Sequence, residues 1–299
     1  MEWLPKAGIL SFEELERVVR VLAPMGIRKL RLTGGEPLLR RDLPRLISLL
    51  RAIEGIDDIA LTTNALLLAE QAEALQKSGL DRVNVSLDSL LRERFEQITR
   101  RDALDRVLRG IEQAAKTFQG PLKINAVLLR GLNDEETPAF AELARKHGHT
   151  IRFIEYMPLD ADQSWSRSSL VTGAEIREHI DRHLDNGARL VEDPARDQRA
   201  PATDYIFSDG APGKIGFINS VSEPFCENCN RIRITADGKL RTCLFSQEET
   251  DLASLLRGGA SDEKIAEAVR AAVHDKEPGH RINEPDFVRA NRSMSQIGG

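Results

Sequence analysis

The chain has 299 residues, 41% hydrophobic and 30% charged, which is enough for one large α/β domain or two smaller ones. A net charge of −5 gives no broad basic face, which argues against nucleic-acid binding, and no apolar run nears the roughly 20 residues of a membrane span. Three cysteines are an odd number and not a disulfide framework, and the first ten residues lack a signal-peptide pattern, so the expected compartment is the reducing cytoplasm.

Ser11-Phe-Glu-Glu14 is a capping box that opens an amphipathic helix from Phe12 to about Ala23. The chain thus starts on a helix, where an α/β barrel normally starts on a strand. Strand and helix signals then alternate. Strands are expected at 28–33, 58–63, 82–86, 122–128 and 150–155. Helices are expected at 42–52, with Asp42 as N-cap and Pro44 in the first turn, at 68–78 before Gly79, at 104–118 and at 134–147. Five strands separated by helices predict a parallel sheet, open or partly closed into a barrel. After about residue 160 the pattern changes. Residues 160–169 and 194–204 read as loop, 214–218 as a strand, and 231–243 as a hairpin turning at Asp237-Gly238. Helices follow near 250–256 and 262–273, and the tail from Ser293 is small and expected to be flexible.

Polar residues gather at the strand ends, where such folds place their sites: Thr33-Gly-Gly-Glu36, Thr62-Thr-Asn64, Ser86-Leu-Asp88 and Glu155-Tyr-Met157. Lys123 and Asn125 alternate with apolar neighbours inside their strand, so they can face a lumen. Gly34-Gly35 lets the backbone approach a ligand, and Glu36 offers a carboxylate to an ammonium group.

All three cysteines, Cys226, Cys229 and Cys243, fall in one C-x2-C-x13-C run. With no fourth cysteine, the pattern suits an iron–sulfur cluster with one iron left for a ligand. Structural zinc with a histidine is the alternative, although neither His274 nor His280 has finger-like spacing; unligated core cysteines are another. Arg231 and Arg233 alternate beside the cysteines, and their guanidinium forks suit phosphate. A solvated arginine face on an edge strand is the plainer reading.

Arg31-Leu-Thr-Gly-Gly-Glu-Pro-Leu-Leu-Arg-Arg-Asp-Leu43, Leu61-Thr-Thr-Asn64, Arg82-Val-Asn-Val-Ser-Leu-Asp88, Arg152-Phe-Ile-Glu-Tyr-Met-Pro158, the stretch 225–235 and the terminal Gly298-Gly299 occur in that order. Together they resemble the GTP 3',8-cyclase family of molybdenum-cofactor biosynthesis, which are radical S-adenosylmethionine (SAM) enzymes. The resemblance implies an incomplete (β/α) barrel over 1–160 and a C-terminal iron–sulfur and GTP-binding region over 161–299. It implies SAM contacts at Gly35, Glu36, Ser86 and Met157, and GTP contacts at Arg31, Thr62, Lys123, Arg231, Ile232 and Arg233. It further implies a [4Fe-4S] cluster on Cys226, Cys229 and Cys243 whose open iron meets the guanine, with the Gly-Gly tail reaching into the site. Its implied partners are GTP, a reductant protein, a downstream cyclic pyranopterin monophosphate synthase and a second copy in a homodimer, with no nucleic acid or membrane. One element is absent from these residues: the family's N-terminal C-x3-C-x2-C, which binds the SAM-cleaving cluster, together with the first barrel strand and an N-terminal GTP-contacting arginine. The expectation is therefore an N-terminally truncated cyclase or, alternatively, an inactive homologue that binds GTP and one cluster.

Overall fold

A computed structural model describes residues 6–159, 164–197 and 200–298. Parts of the two expected loops and Gly299 lie outside the described residues. Helix α1 (Phe12–Leu22) begins where the capping box places it: Ser11 Oγ accepts from the Glu14 N–H, and the Glu14 carboxylate accepts from the Ser11 N–H. Strands and helices then alternate as β1 (Lys29–Leu32), α2 (Leu43–Arg51), β2 (Asp58–Thr63), α3 (Leu68–Lys77), β3 (Arg82–Ser86), α4 (Arg92–Thr99), α5 (Leu104–Thr117), β4 (Lys123–Leu128), α6 (Thr137–His147) and β5 (Thr150–Glu155). Asp42 does precede α2, but its φ of 59° is left-handed and its side chain makes no capping bond. Helix α4 was not expected; a mostly charged segment with only Phe95 buried carries little hydrophobic periodicity.

Beyond residue 160 come α7 (Gly173–His183), β6 (Leu190–Glu192), β7 (Thr203–Phe207), β8 (Lys214–Ile218), β9 (Arg233–Ile234), β10 (Lys239–Arg241), β11 (Thr250–Asp251), α8 (Leu252–Arg257), α9 (Asp262–His274) and α10 (Met294–Ile297). One open eight-stranded sheet runs β1-β2-β3-β4-β5-β8-β7-β6. Strands β1 to β5 and β8 are parallel, and β7 and β6 join antiparallel. This is an incomplete α/β barrel whose sheet continues through three strands past residue 160. A separate sheet, β11-β10-β9, carries the hairpin. Its turn closes at Gly238, whose φ of 78° and contacts to Ala253 and Leu10 leave no room for a side chain.

Alternation sorts each barrel strand into two faces. Leu61, Val85, Ile124, Phe153 and Phe217 bury into a core against α2, α3, α5, α6 and α7. The other face is polar and lines the lumen. Helix α1 belongs to two cores, because Phe12 and Val19 pack on the barrel while Val18, Val21 and Leu22 pack on Leu240, Leu252, Ile265 and Val269. This double burial ties the barrel to the C-terminal helices. The tail is docked rather than loose: the Met294 N–H donates to the Leu159 carbonyl at 2.9 Å, and Ile297 is 1% exposed in a third cluster with Leu159, Leu170, Val221, Phe245 and Ile282.

Candidate nucleotide and cluster site

Pairing register builds the lumen from rows of side chains. Arg31 stands level with Ala60 and Arg82; Thr62 with Asn84 and Lys123; and Ser86 with Asn125, Arg152, Gly216 and Asp204. Arg82 is occupied by a forked ion pair to Asp58. Arg152 is 7% exposed and reaches Asp204 at 3.3 Å, while its Nε has no partner. Arg31 and Lys123 have no carboxylate of their own among the described ion pairs.

The electrostatics record this crowding. Arg31 is open to water yet walled by protein, as expected of a side chain lining a concave lumen. Burial first, then the charges of Arg152, Arg82 and Arg231, pull its pKa down to about 10. Lys123 is brought to about 8, again by burial first and then by Arg152 and Arg82, with Asp204 opposing. Arg233 falls to about 10 through burial and the charges of Arg231 and Arg31. Arg31 on β1 and Arg231 and Arg233 near the hairpin are distant in sequence, yet Arg231 lowers both of the others and Arg31 lowers Arg233. The fold thus brings three cations into one neighbourhood.

At the mouth, Thr33-Gly34-Gly35-Glu36 leaves the end of β1. Glu36 holds neighbouring strand ends together, because its carboxylate accepts from the Leu38 N–H at 3.0 Å, the Thr63 hydroxyl at 2.7 Å and the Asn64 N–H at 2.8 Å. These bonds hold the loop in shape and use three of the carboxylate's roughly four acceptor sites. Gly35 and Ser86 are exposed at the mouth. Met157 packs at the edge of the third cluster. Asp88 is half-buried, with Oδ1 accepting from the Val127 N–H at 2.8 Å; the protein packed around its carboxyl raises its pKa to about 6. The tail arrives at the same mouth. Arg233 Nη1 donates to the Gly298 carbonyl, and a Cβ on Gly298 would lie 2.9 Å from Thr33 Cγ2.

The cysteines lie beside the hairpin, all three free and partly exposed. Burial raises the Cys243 thiol, and the charges of Cys226 and Cys229 add to the rise, so the three sulfurs share one neighbourhood. Burial also pushes Cys229 upward, but the Arg231 N–H, the Arg231 guanidinium and the Lys276 ammonium outweigh it and the net shift is down. Among the described residues, no three His, Cys, Asp or Glu side chains are gathered as a ready-made grip for a metal ion. Arg231 is an exposed side chain set over the Phe225 ring at 5.0 Å, with Nη2 3.5 Å from Cys229 Sγ. It precedes β9, so it and Arg233 do not lie on one strand as their spacing suggested. Ile232 packs at the edge of the second core. Sequence reasoning passed over Arg152 and Lys276. Alternation within 150–155 could have found the first, whereas Lys276 reaches the site only through the packing of α9.

Residues 2–144 match the Radical SAM superfamily model, and residues 149–282 match Molybdenum Cofactor Synthesis C. The chain is 44% identical to the GTP 3',8-cyclase of Paenarthrobacter nicotinovorans, covering 100% of this chain and 88% of that protein. It is 46% identical to the GTP 3',8-cyclase of Mycolicibacterium smegmatis, covering 100% and 83%. The chain belongs to the GTP 3',8-cyclase family. Among solved structures, Streptococcus suis SuiB bound to S-adenosylmethionine aligns with a TM-score of 0.61 at 14% identity, covering 96% of this chain and 70% of that one, which is a likeness of fold.

Proposed function

We propose that the chain works as a GTP 3',8-cyclase of molybdenum-cofactor biosynthesis, converting GTP with SAM to (8S)-3',8-cyclo-7,8-dihydroguanosine 5'-triphosphate. The observation that carries this reading is the polar lumen face, on which Arg31 stands level with Arg82 and Lys123 level with Thr62, and neither Arg31 nor Lys123 has an ion-pair partner among the described residues. A triphosphate would supply negative charge to those two cations and to Arg231 and Arg233 near them. In this reading Arg31, Thr62 and Lys123 hold GTP from the barrel side, and Arg231, Ile232 and Arg233 hold it from the hairpin side. Gly35, Glu36, Ser86 and Met157 border the SAM position, with Glu36 shaping the loop. We divide the chain at about residue 160 into a partial radical SAM barrel, 1–160, and a cluster and GTP region, 161–299, which lends strands to the same sheet.

Cys226, Cys229 and Cys243 would hold a [4Fe-4S] cluster. Three free thiols near Arg231 and Lys276 suit an anionic polynuclear centre. When bound, the cluster offers an open iron as a Lewis-acidic anchor for the guanine. The chain's own residues orient the triphosphate, present the sugar to the mouth, and place the Gly298 carbonyl on Arg233. The SAM-cleaving cluster finds no further thiolate within these 299 residues.

No helix among the described residues is long and apolar enough to cross a membrane. We place the protein in the cytoplasm with a reductant protein and a downstream cyclic pyranopterin monophosphate synthase as partners, and as a homodimer. The test uses protein purified from its own cells and reconstituted anaerobically with iron and sulfide, then given GTP, SAM and dithionite. Native protein that carries further cysteines for the SAM-cleaving cluster is expected to give cyclised nucleotide with 5'-deoxyadenosine, whereas these 299 residues alone should bind GTP without cleaving SAM. GTP binding without 5'-deoxyadenosine would favour an inactive homologue that holds GTP and one cluster, and no GTP binding would refute the nucleotide reading.

A further inference from the structure

Residues 276–280 follow α9 and touch all three cysteine segments. Lys276 Nζ donates to the Cys229 carbonyl at 2.7 Å and to the Arg231 carbonyl at 3.4 Å. Gly279 lies against Cys226 so closely that a Cβ there would sit 3.2 Å from its Cβ and 3.6 Å from its Sγ. His280 meets the Phe245 ring edge-on with centroids 5.2 Å apart, two residues beyond Cys243. The segment's position is fixed by α9, whose Ile265, Ala266 and Val269 are buried in the second core.

We propose that Lys276 is a positioning residue of the three-cysteine site, tying the Cys229–Arg231 backbone in place and keeping a fixed positive charge beside the thiolates. Two carbonyls held by one ammonium set the spacing between a thiolate ligand and the arginine beside the nucleotide. The charge offsets the negative charge of thiolates and cluster, so it favours the reduced, more negative state.

The inference rests on the three cysteines holding a cluster, and the test separates the two claims. Wild type, Lys276→Gln, Lys276→Arg and the control Lys264→Gln, an exposed position on α9, are reconstituted anaerobically. Iron content, midpoint potential and GTP affinity are measured for each. Lys276→Gln, which keeps a donor but not the charge, is expected to retain iron, shift its midpoint to a more negative potential, and bind GTP about three- to tenfold more weakly. Lys276→Arg restores both properties, and Lys264→Gln changes neither. Loss of iron in Lys276→Gln with retention in Lys276→Arg also supports the proposal. A Lys276→Gln protein with full iron and wild-type potential and affinity overturns it. A wild-type chain that takes up no iron overturns the cluster reading and this inference with it.

Discussion

Replacing Lys123 with methionine should change stability and binding in opposite directions. Without ligand, burial and the cations Arg152 and Arg82 hold the Lys123 ammonium at about 8 rather than 10.5. That difference corresponds to about 3 kcal/mol of disfavoured charge, and exposure to the watery lumen reduces it to about 1–2 kcal/mol. The sign follows from proton counting. Between pH 8 and 10.5 the unfolded chain binds more protons at this site, so this contribution to stability rises with pH, and below about 8 the full cost is present. Lys123→Met removes the cost, and urea unfolding at pH 7 should show the ligand-free protein stabilised by about 1–2 kcal/mol. The same change removes a phosphate partner, so calorimetry should show GTP affinity falling by about 10- to 100-fold. In the unchanged protein, GTP affinity should fall as pH rises past about 8, because binding needs the protonated amine. A Lys123→Met protein that is less stable without ligand, or that binds GTP as well as its parent, would refute the picture of an unbalanced cationic cavity.

Arg233→Ala should weaken GTP binding by about 1–3 kcal/mol in calorimetry, the scale for losing a charged hydrogen bond; unchanged affinity would remove Arg233 from the phosphate site. Cys243→Ser should lose iron after anaerobic reconstitution, and full iron retention would strike Cys243 from the ligand set. Asp88→Asn keeps the acceptor for the Val127 N–H and removes a carboxylate whose pKa burial raises from 3.8 to about 6. Native Asp88 binds more protons than the unfolded chain across that window, so wild-type stability falls there as pH rises. The advantage of Asp88→Asn in melting temperature should therefore grow from pH 4 to 6.5 and then level, and a constant difference would contradict the assignment.

The barrel strands were legible because each carries alternating or continuous apolar signal bounded by glycine or charge, as in Thr150-Ile-Arg-Phe-Ile-Glu155, which is strand β5 residue for residue. Helix α7 and strands β6 and β7 were not read, although Thr172 and Glu175 form a second capping box. The two strands are short additions at the sheet's end, β7 pairing on β8 and β6 on β7, so neighbours rather than their own pattern set them. Asp42 had the residue type of an N-cap, but its backbone is left-handed and its side chain makes no capping bond. At the site, cysteine spacing and the strand-end polar clusters were visible in one dimension. The burden on Glu36 was not, since its partners Thr63 and Asn64 lie on another strand end.

The tail shows best how local composition can mislead. Ser293-Met-Ser-Gln-Ile-Gly298 is small and polar enough to suggest a loose end, and its one strong apolar residue, Ile297, decides otherwise. Once Ile297 is buried with Leu159 and Val221, the next residue has little choice of position. Gly298 then lies between Thr33 at the end of β1 and Arg233 of the hairpin, with φ at 81° and no space for a Cβ. A left-handed backbone and a close approach both call for glycine, and the backbone carbonyl, not a side chain, is what meets Arg233. Arg233 of the hairpin is therefore held by the end of the chain, which rests in turn against the end of β1, so barrel, hairpin and tail meet at one glycine.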